Sequence, residues 1–226
     1  QMIAQEFKNT SDIVVAISTP SAQAAVNNIK DKPIFFAAIT NPESAGVLAE
    51  NVTGVSDRSP VKKQVELIKE LLPEAKKIGA VYNTSEQNSF YLTDEFKKEA
   101  EKNGYEVVVK GITNVNEIAS ALDTLLPEID VLYTTIDNTI ASTYPLIIDK
   151  SKKANKPVIG ATKSYVDQGA LASEGISDYK VGYQTGEMIV RYLKGEDIKN
   201  MKFEVVRESE RYINKEVAKN FKIIVE

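Results

Sequence analysis

The chain has 226 residues, 42% of them apolar, enough for one large or two small domains with a real core. Its formal charge of -4, with 28 basic residues spread along the chain, leaves no basic footprint for nucleic acid, and no apolar run approaches the roughly 20 residues of a membrane-spanning helix. There is no Cys and no His, which excludes Cys/His and Ser/His nucleophile systems and the usual zinc ligand sets, and leaves carboxylates, hydroxyls, Lys and Tyr as the reactive groups.

Met2, Ile3 and Phe7 stand at helical spacing with no capping residue in front, so the chain is expected to open inside a helix, as a fragment. "DIVVAI" (12–17) reads as a strand, and in the "STPS" that follows Ser18 or Thr19 can cap a helix with Pro20 near its start. "PIFFAAI" (33–39) is the next strand, followed by "TNPES". "NVTGVSDRSP" (51–60) interrupts the pattern with one short extended piece between turn residues and is read as a crossover between two lobes. A helix carrying Val61, Val65, Ile68 and Leu72 is expected to start at Pro60 with Ser59 as its N-cap.

"KIGAVY" (77–82) is a strand that runs into "NTSEQNS", with a helix over 87–102 ending at "NG". Strand "YEVVV" (105–109) and a helix with Val115, Ile118, Ala119, Leu122 and Leu125 come next. "DVLYTT" (130–135) leads to Asp137 and Asn138 and a single helix over 138–153. Strands "PVIG" (157–160) and "ALAS" (170–173) and a helix over 178–193 complete the pattern.

This alternation predicts an α/β fold of parallel sheets with right-handed crossovers, whose near-continuous apolar strands are covered on both faces. In such sheets the carboxyl ends of the strands share one edge, where ligands bind. The polar turns collect there. Any one of them serves as a helix cap with a single side chain, but "NTSEQNS" supplies Asn83, Thr84, Ser85, Glu86, Gln87, Asn88 and Ser89, more than capping uses, so this turn is expected to meet a ligand.

Asp137 reads equally as a cap and as the acceptor of a ligand ammonium group, Glu86 suits the same role, and backbone N–H groups near Ser21 and Ala22 suit a ligand carboxylate. Glu86 and Asp137 also match the carboxylate pair of a glycosidase, but the sequence shows no apolar pocket to raise one pKa. With no glycine-rich phosphate loop, no dinucleotide or NTP cofactor is expected, and no residue is assigned a catalytic or metal-binding role.

The segments "IVVAISTPSAQAA", "PIFFAAITNPESAGVL", "NVTGVSD", "AVYNTSEQNS", "VLYTTIDNTIAS" and "GALASEGISDYKVGYQTGEM", in this order, resemble the extracytoplasmic substrate-binding proteins of ABC transporters of the tryptophan/tyrosine type, built on the type I periplasmic-binding fold. The resemblance covers nearly the whole chain. It implies two doubly wound parallel-sheet lobes, the first from 1–56 with about 176–202, the second from 57–175 with 203–226, and a ligand held between them at the strand ends. The expected ligand-binding residues are Ser18, Thr19, Thr40 and Asn41 in the first lobe and Asn83, Ser85, Glu86, Asn88, Asp137 and Asn138 in the second.

The implied ligand is an aromatic amino acid, Trp, Tyr or Phe, delivered to an ABC permease by a protein with no chemistry of its own. The implied location is the extracellular face of the cell membrane, through a lipid anchor outside this chain, or the periplasm. Family members begin with a βαβ unit that has no counterpart here, so a unit on the order of 60 residues and a signal segment are expected upstream. The first lobe then lacks its N-terminal βαβ unit, and 12–17 becomes an open apolar edge expected to pair with another chain, as in a dimer. Ser173 and Glu174 stand where the resemblance implies a more neutral, often aromatic, pair. The alternative reading is the ligand-sensing effector domain of a transcription regulator, which shares the fold and requires a DNA-binding helix-turn-helix upstream.

Overall fold

The structure is a computed structural model and describes residues 2–225. In chain order its elements are α1 (Met2–Thr10), β1 (Val14–Ile17), α2 (Thr19–Asn28), β2 (Ile34–Ala37), β3 (Val52–Ser56), α3 (Val61–Leu71), β4 (Lys77–Asn83), α4 (Gln87–Lys102), β5 (Glu106–Ile112) and α5 (Ile118–Leu125). They continue with β6 (Val131–Thr134), α6 (Asn138–Ser142), α7 (Tyr144–Lys153), β7 (Val158–Gly160), α8 (Lys163–Asp167), β8 (Ala172–Gly175), α9 (Asp178–Leu193), β9 (Glu204–Val205), β10 (Glu210–Ile213) and α10 (Lys215–Asn220). Two compact units form: one runs to Arg58 and resumes over Ile176–Glu208, and the other takes Ser59–Gly175 and continues from Ser209.

The first unit is built on a four-stranded sheet in the order β1-β2-β3-β9, parallel throughout. Every side chain of β2 is buried, because alternate residues face helices on opposite sides: Phe36 packs with Val14, Ala16 and the Ala22, Ala25 and Val26 face of α2, and Phe35 with Val55 and the Val181 and Met188 face of α9. β3 lies inside the segment read from sequence as a crossover; all five of its residues are buried. Gly54 has φ +156°, and a Cβ there would stand 2.0 Å from the carbonyl oxygen of Phe36 on the neighbouring strand, so no larger residue fits. β9 pairs with β3 and brings Glu204 and Val205 into this sheet. Among the described residues β1 pairs with β2 alone, leaving the open edge expected from sequence, with Val15 and Ile17 exposed. The expected helix at the start is α1; only Ala4 of it is buried, while Met2, Ile3 and Phe7 are exposed.

The second unit has a six-stranded sheet in the order β10-β8-β7-β6-β4-β5, parallel except for the antiparallel edge strand β10. On one face α3 and α4 supply Val65, Ile68, Leu92 and Phe96 against Ile78, Ala80 and Tyr133; on the other α5 and α7 supply Leu122, Leu125 and Ile147 against Val81, Leu132 and Val158. Tyr133 and Phe96 stack with ring centroids 3.5 Å apart.

Three local expectations are corrected. Ser59 does not cap α3: Pro60 occupies the cap position, and the Ser59 hydroxyl accepts from Gln64 Nε2 at 2.9 Å. The single helix over 138–153 is two, α6 and α7, because Pro145 enters the first turn of α7 without an N–H to continue the ladder of α6. The strand expected at 170–173 is β8, two residues later, since the Ala170 N–H donates to Tyr165 O and closes the turn that follows α8.

Candidate functional site

In the first unit the strand ends carry strained turns. Ser18, directly after β1, has φ +75°, and Ala38, directly after β2, has φ +56°, both in the left-handed region that non-glycine residues seldom adopt. Ser18 caps nothing with its side chain; its N–H donates to Ala37 O at 3.0 Å, and its carbonyl accepts from Ala22 N–H at 3.1 Å, so the Ala22 amide suggested for a ligand carboxylate is already used. Thr19 is buried at the start of α2. Asn41 holds its own turn, its Oδ1 accepting from Ser44 N–H at 2.9 Å.

Thr40 leads to a residue that sequence reasoning missed. Its Oγ1 donates to Asp57 Oδ1 at 3.1 Å, and its carbonyl accepts from Ser56 Oγ at 3.1 Å. Asp57 directly follows β3 and is only 9% exposed. Burial pushes its carboxyl up to about 6, against the Thr40 hydrogen bond and its own backbone amide, and the like charge of Asp178 at the start of α9 adds to the rise. The signal was present in "GVSD", an acidic residue directly after an extended piece.

In the second unit the polar surplus of the β4–α4 turn has a structural account. Asn83 N–H donates to Asp137 Oδ2 at 2.6 Å, Asn83 Nδ2 donates to Thr139 Oγ1 at 2.7 Å, and Asn83 Oδ1 accepts from Ser85 N–H at 2.8 Å. Glu86 accepts from Asn138 N–H at 2.9 Å, Asn138 Nδ2 at 2.7 Å, Thr139 N–H at 3.0 Å and Thr139 Oγ1 at 2.7 Å. Asn88 Nδ2 donates to Ile136 O at 3.0 Å. The turn after β4 is thus laced to the turn after β6, its neighbour in the sheet.

Asp137 is part of this lacing. It is 1% exposed and caps α6 through Ile140 N–H at 2.9 Å, while its other oxygen takes the Asn83 amide and the Ser89 hydroxyl. Burial pushes its carboxyl up and these donors pull it down, leaving it above the ordinary value. For Glu86 burial also pushes up, but the Asn138 and Thr139 donors outweigh it and the pKa lies below the ordinary value. Both carboxylates are therefore engaged within the unit. Ser85 and Asn138 remain exposed on this edge.

The Glu174 departure is also explained locally. Glu174 is buried and accepts from Ser209 Oγ at 2.7 Å and Arg211 Nε at 3.3 Å, and Arg211 reaches Glu70 at 2.8 Å. The Glu174 carbonyl accepts from Gln64 Nε2 at 2.8 Å, and Gln64 Oε1 accepts from Tyr133 OH at 2.7 Å. Among the described residues no group of three or more His, Cys, Asp and Glu could hold a metal, and no helix is long and apolar enough to cross a membrane.

A family model for the ABC transporter substrate binding protein matches residues 1–226. The chain is similar to a tyrosine-binding protein of Clostridioides difficile (strain R20291), 41% identical over 226 residues, which cover 97% of this chain and 66% of that protein. It spans about two thirds of the length of the curated relatives it matches. Of the solved structures, an ABC domain from Streptococcus pneumonia in complex with L-Trp is 38% identical with a TM-score of 0.93, covering 100% of this chain and 79% of its own. A ligand-free, open substrate-binding protein with adhesive properties from Clostridium difficile is 41% identical with a TM-score of 0.78, again over 100% of this chain and 79% of its own.

Proposed function

The chain belongs to the ABC transporter substrate-binding protein family, and on that basis we propose that it captures an aromatic amino acid outside the cytoplasm and delivers it to an ABC permease, by binding alone and without chemistry of its own. The observation that carries the ligand class is the L-Trp complex of a neighbour 38% identical over the whole of this chain, with the tyrosine-binding relative in support. The match of the family model to the full chain favours this reading over a regulator's effector domain.

The ligand-facing groups in this reading are drawn from the strand ends of each unit: Ser18, Thr19, Thr40 and Asn41 from the first, and Ser85, Asn88 and Asn138 from the second. Asn83, Glu86 and Asp137 hold the second set in place through the lacing described above. Attachment at the extracellular face of the membrane through a lipid anchor belongs to the same proposal.

A thermal-shift panel tests the ligand class. A ligand present at about 100 times its Kd stabilises the protein by about 2.7 kcal/mol, a readily detected rise in melting temperature. L-Trp, L-Tyr or L-Phe should raise it, while L-Leu should do so weakly and sugars and nucleosides not at all. A rise confined to sugars or nucleosides would overturn the assignment.

A further inference from the structure

We propose that Asp57, and not Asp137, is the acceptor for the ammonium group of the bound ligand. This deepens the amino-acid reading and rests on it.

The buried carboxylates of the chain differ in what meets them. Asp137 takes two backbone amides and a hydroxyl. Glu174 takes the guanidinium of Arg211 and the hydroxyl of Ser209. Asp57 receives one side-chain donor, Thr40 Oγ1, and its own backbone amide, and no cation is among the groups that act on it. The charged group that acts on it is Asp178, of the same sign. A buried carboxylate without a cation is costly, because desolvation of the charge is not offset. Its place is the carboxyl end of β3, at the sheet edge where α/β proteins bind their ligands, beside the strained turns after β1 and β2. A cation supplied by the ligand would complete its hydrogen bonding, and Thr40 fixes the orientation of the other carboxylate oxygen.

The test is titration calorimetry at neutral pH on the wild type and Asp57→Asn. The ligands are L-Tyr and L-Trp, with 3-(4-hydroxyphenyl)propionate and indole-3-propionate, which keep ring and carboxylate but lack the ammonium. The wild type should prefer each amino acid over its ammonium-free analogue. Asp57→Asn should lose roughly thirtyfold or more in affinity for the amino acid, as expected when a buried ammonium is left without its acceptor. Its affinity for the analogue should stay equal or improve, because that ligand no longer meets a buried negative charge. The melting temperature of the ligand-free variant should hold or rise, which separates lost recognition from lost folding. Asp57→Ser, with a hydroxyl facing Thr40, should repeat the loss of preference. Retention of amino-acid affinity within a few-fold, or an equal loss for amino acid and analogue together with a lower melting temperature, would overturn the role of Asp57 and leave the amino-acid reading standing. If the wild type binds none of the aromatic amino acids, that reading fails and the role of Asp57 with it.

Discussion

Asp57 and Asp137 are both Asp residues that follow strands of parallel sheets, and the structure treats them in opposite ways. Asp137 is consumed by neighbours that need its oxygens, whereas Asp57 is met by one hydroxyl and its own backbone amide. The difference sets a pH dependence. With its pKa raised to about 6 from an ordinary 3.8, the folded protein binds a proton at Asp57 more tightly than the unfolded chain does. Stability from this group is therefore fully present below the ordinary value and is lost as pH rises toward 6, by on the order of 3 kcal/mol. The groups acting on it are Thr40 from the turn after β2, its own amide, and Asp178 from α9. Asp57→Asn removes this dependence. Denaturant unfolding of the ligand-free proteins should show the variant more stable than wild type at pH 7.5 and the two nearly equal near pH 4; a variant less stable at pH 7.5 would show that the carboxylate serves the fold.

The turns after β4 and β6 act as one latch, because the two strands are adjacent in the sheet and their connections meet at the same edge. Asp137→Ala removes the cap of α6 and leaves the Asn83 amide and the buried Ser89 hydroxyl without an acceptor, a loss of about 2–4 kcal/mol. That loss should appear in ligand-free protein as a lower denaturation midpoint, and an unchanged midpoint would contradict the latch. Much of this was legible in the sequence: buried parallel strands are continuous apolar runs, so the polar turns that end them stand out. What those turns bond to was not legible, since Asn83 and Glu86 meet partners more than fifty residues away, which only the pairing of β4 with β6 brings close. β3 was read only as a short extended piece of a crossover, because "VTGVS" is short, contains Gly54 and is bounded by turn residues; with its strand end unrecognised, Asp57 went unnoticed. β9 and β10 are short and half-exposed, with no apolar periodicity to mark them.

Among the described residues, two α/β units carry polar strand-end turns and bury three carboxylates, two of which are answered internally. In the proposed reading an amino acid answers the third through its ammonium group and leaves an aromatic ring to be placed by apolar contacts, which favour a ring over an aliphatic side chain by a few kcal/mol at most. Family membership and the L-Trp complex of a relative point to the same class of ligand. Titration calorimetry of the full chain with L-Trp, L-Tyr and L-Phe, beside L-Leu and glucose, settles whether it is an aromatic amino acid receptor. The prediction is saturable binding of at least one aromatic amino acid at one site per chain, tighter than for L-Leu, with no heat from glucose. Saturable binding of glucose, with no response to any of the three aromatic amino acids, would contradict it.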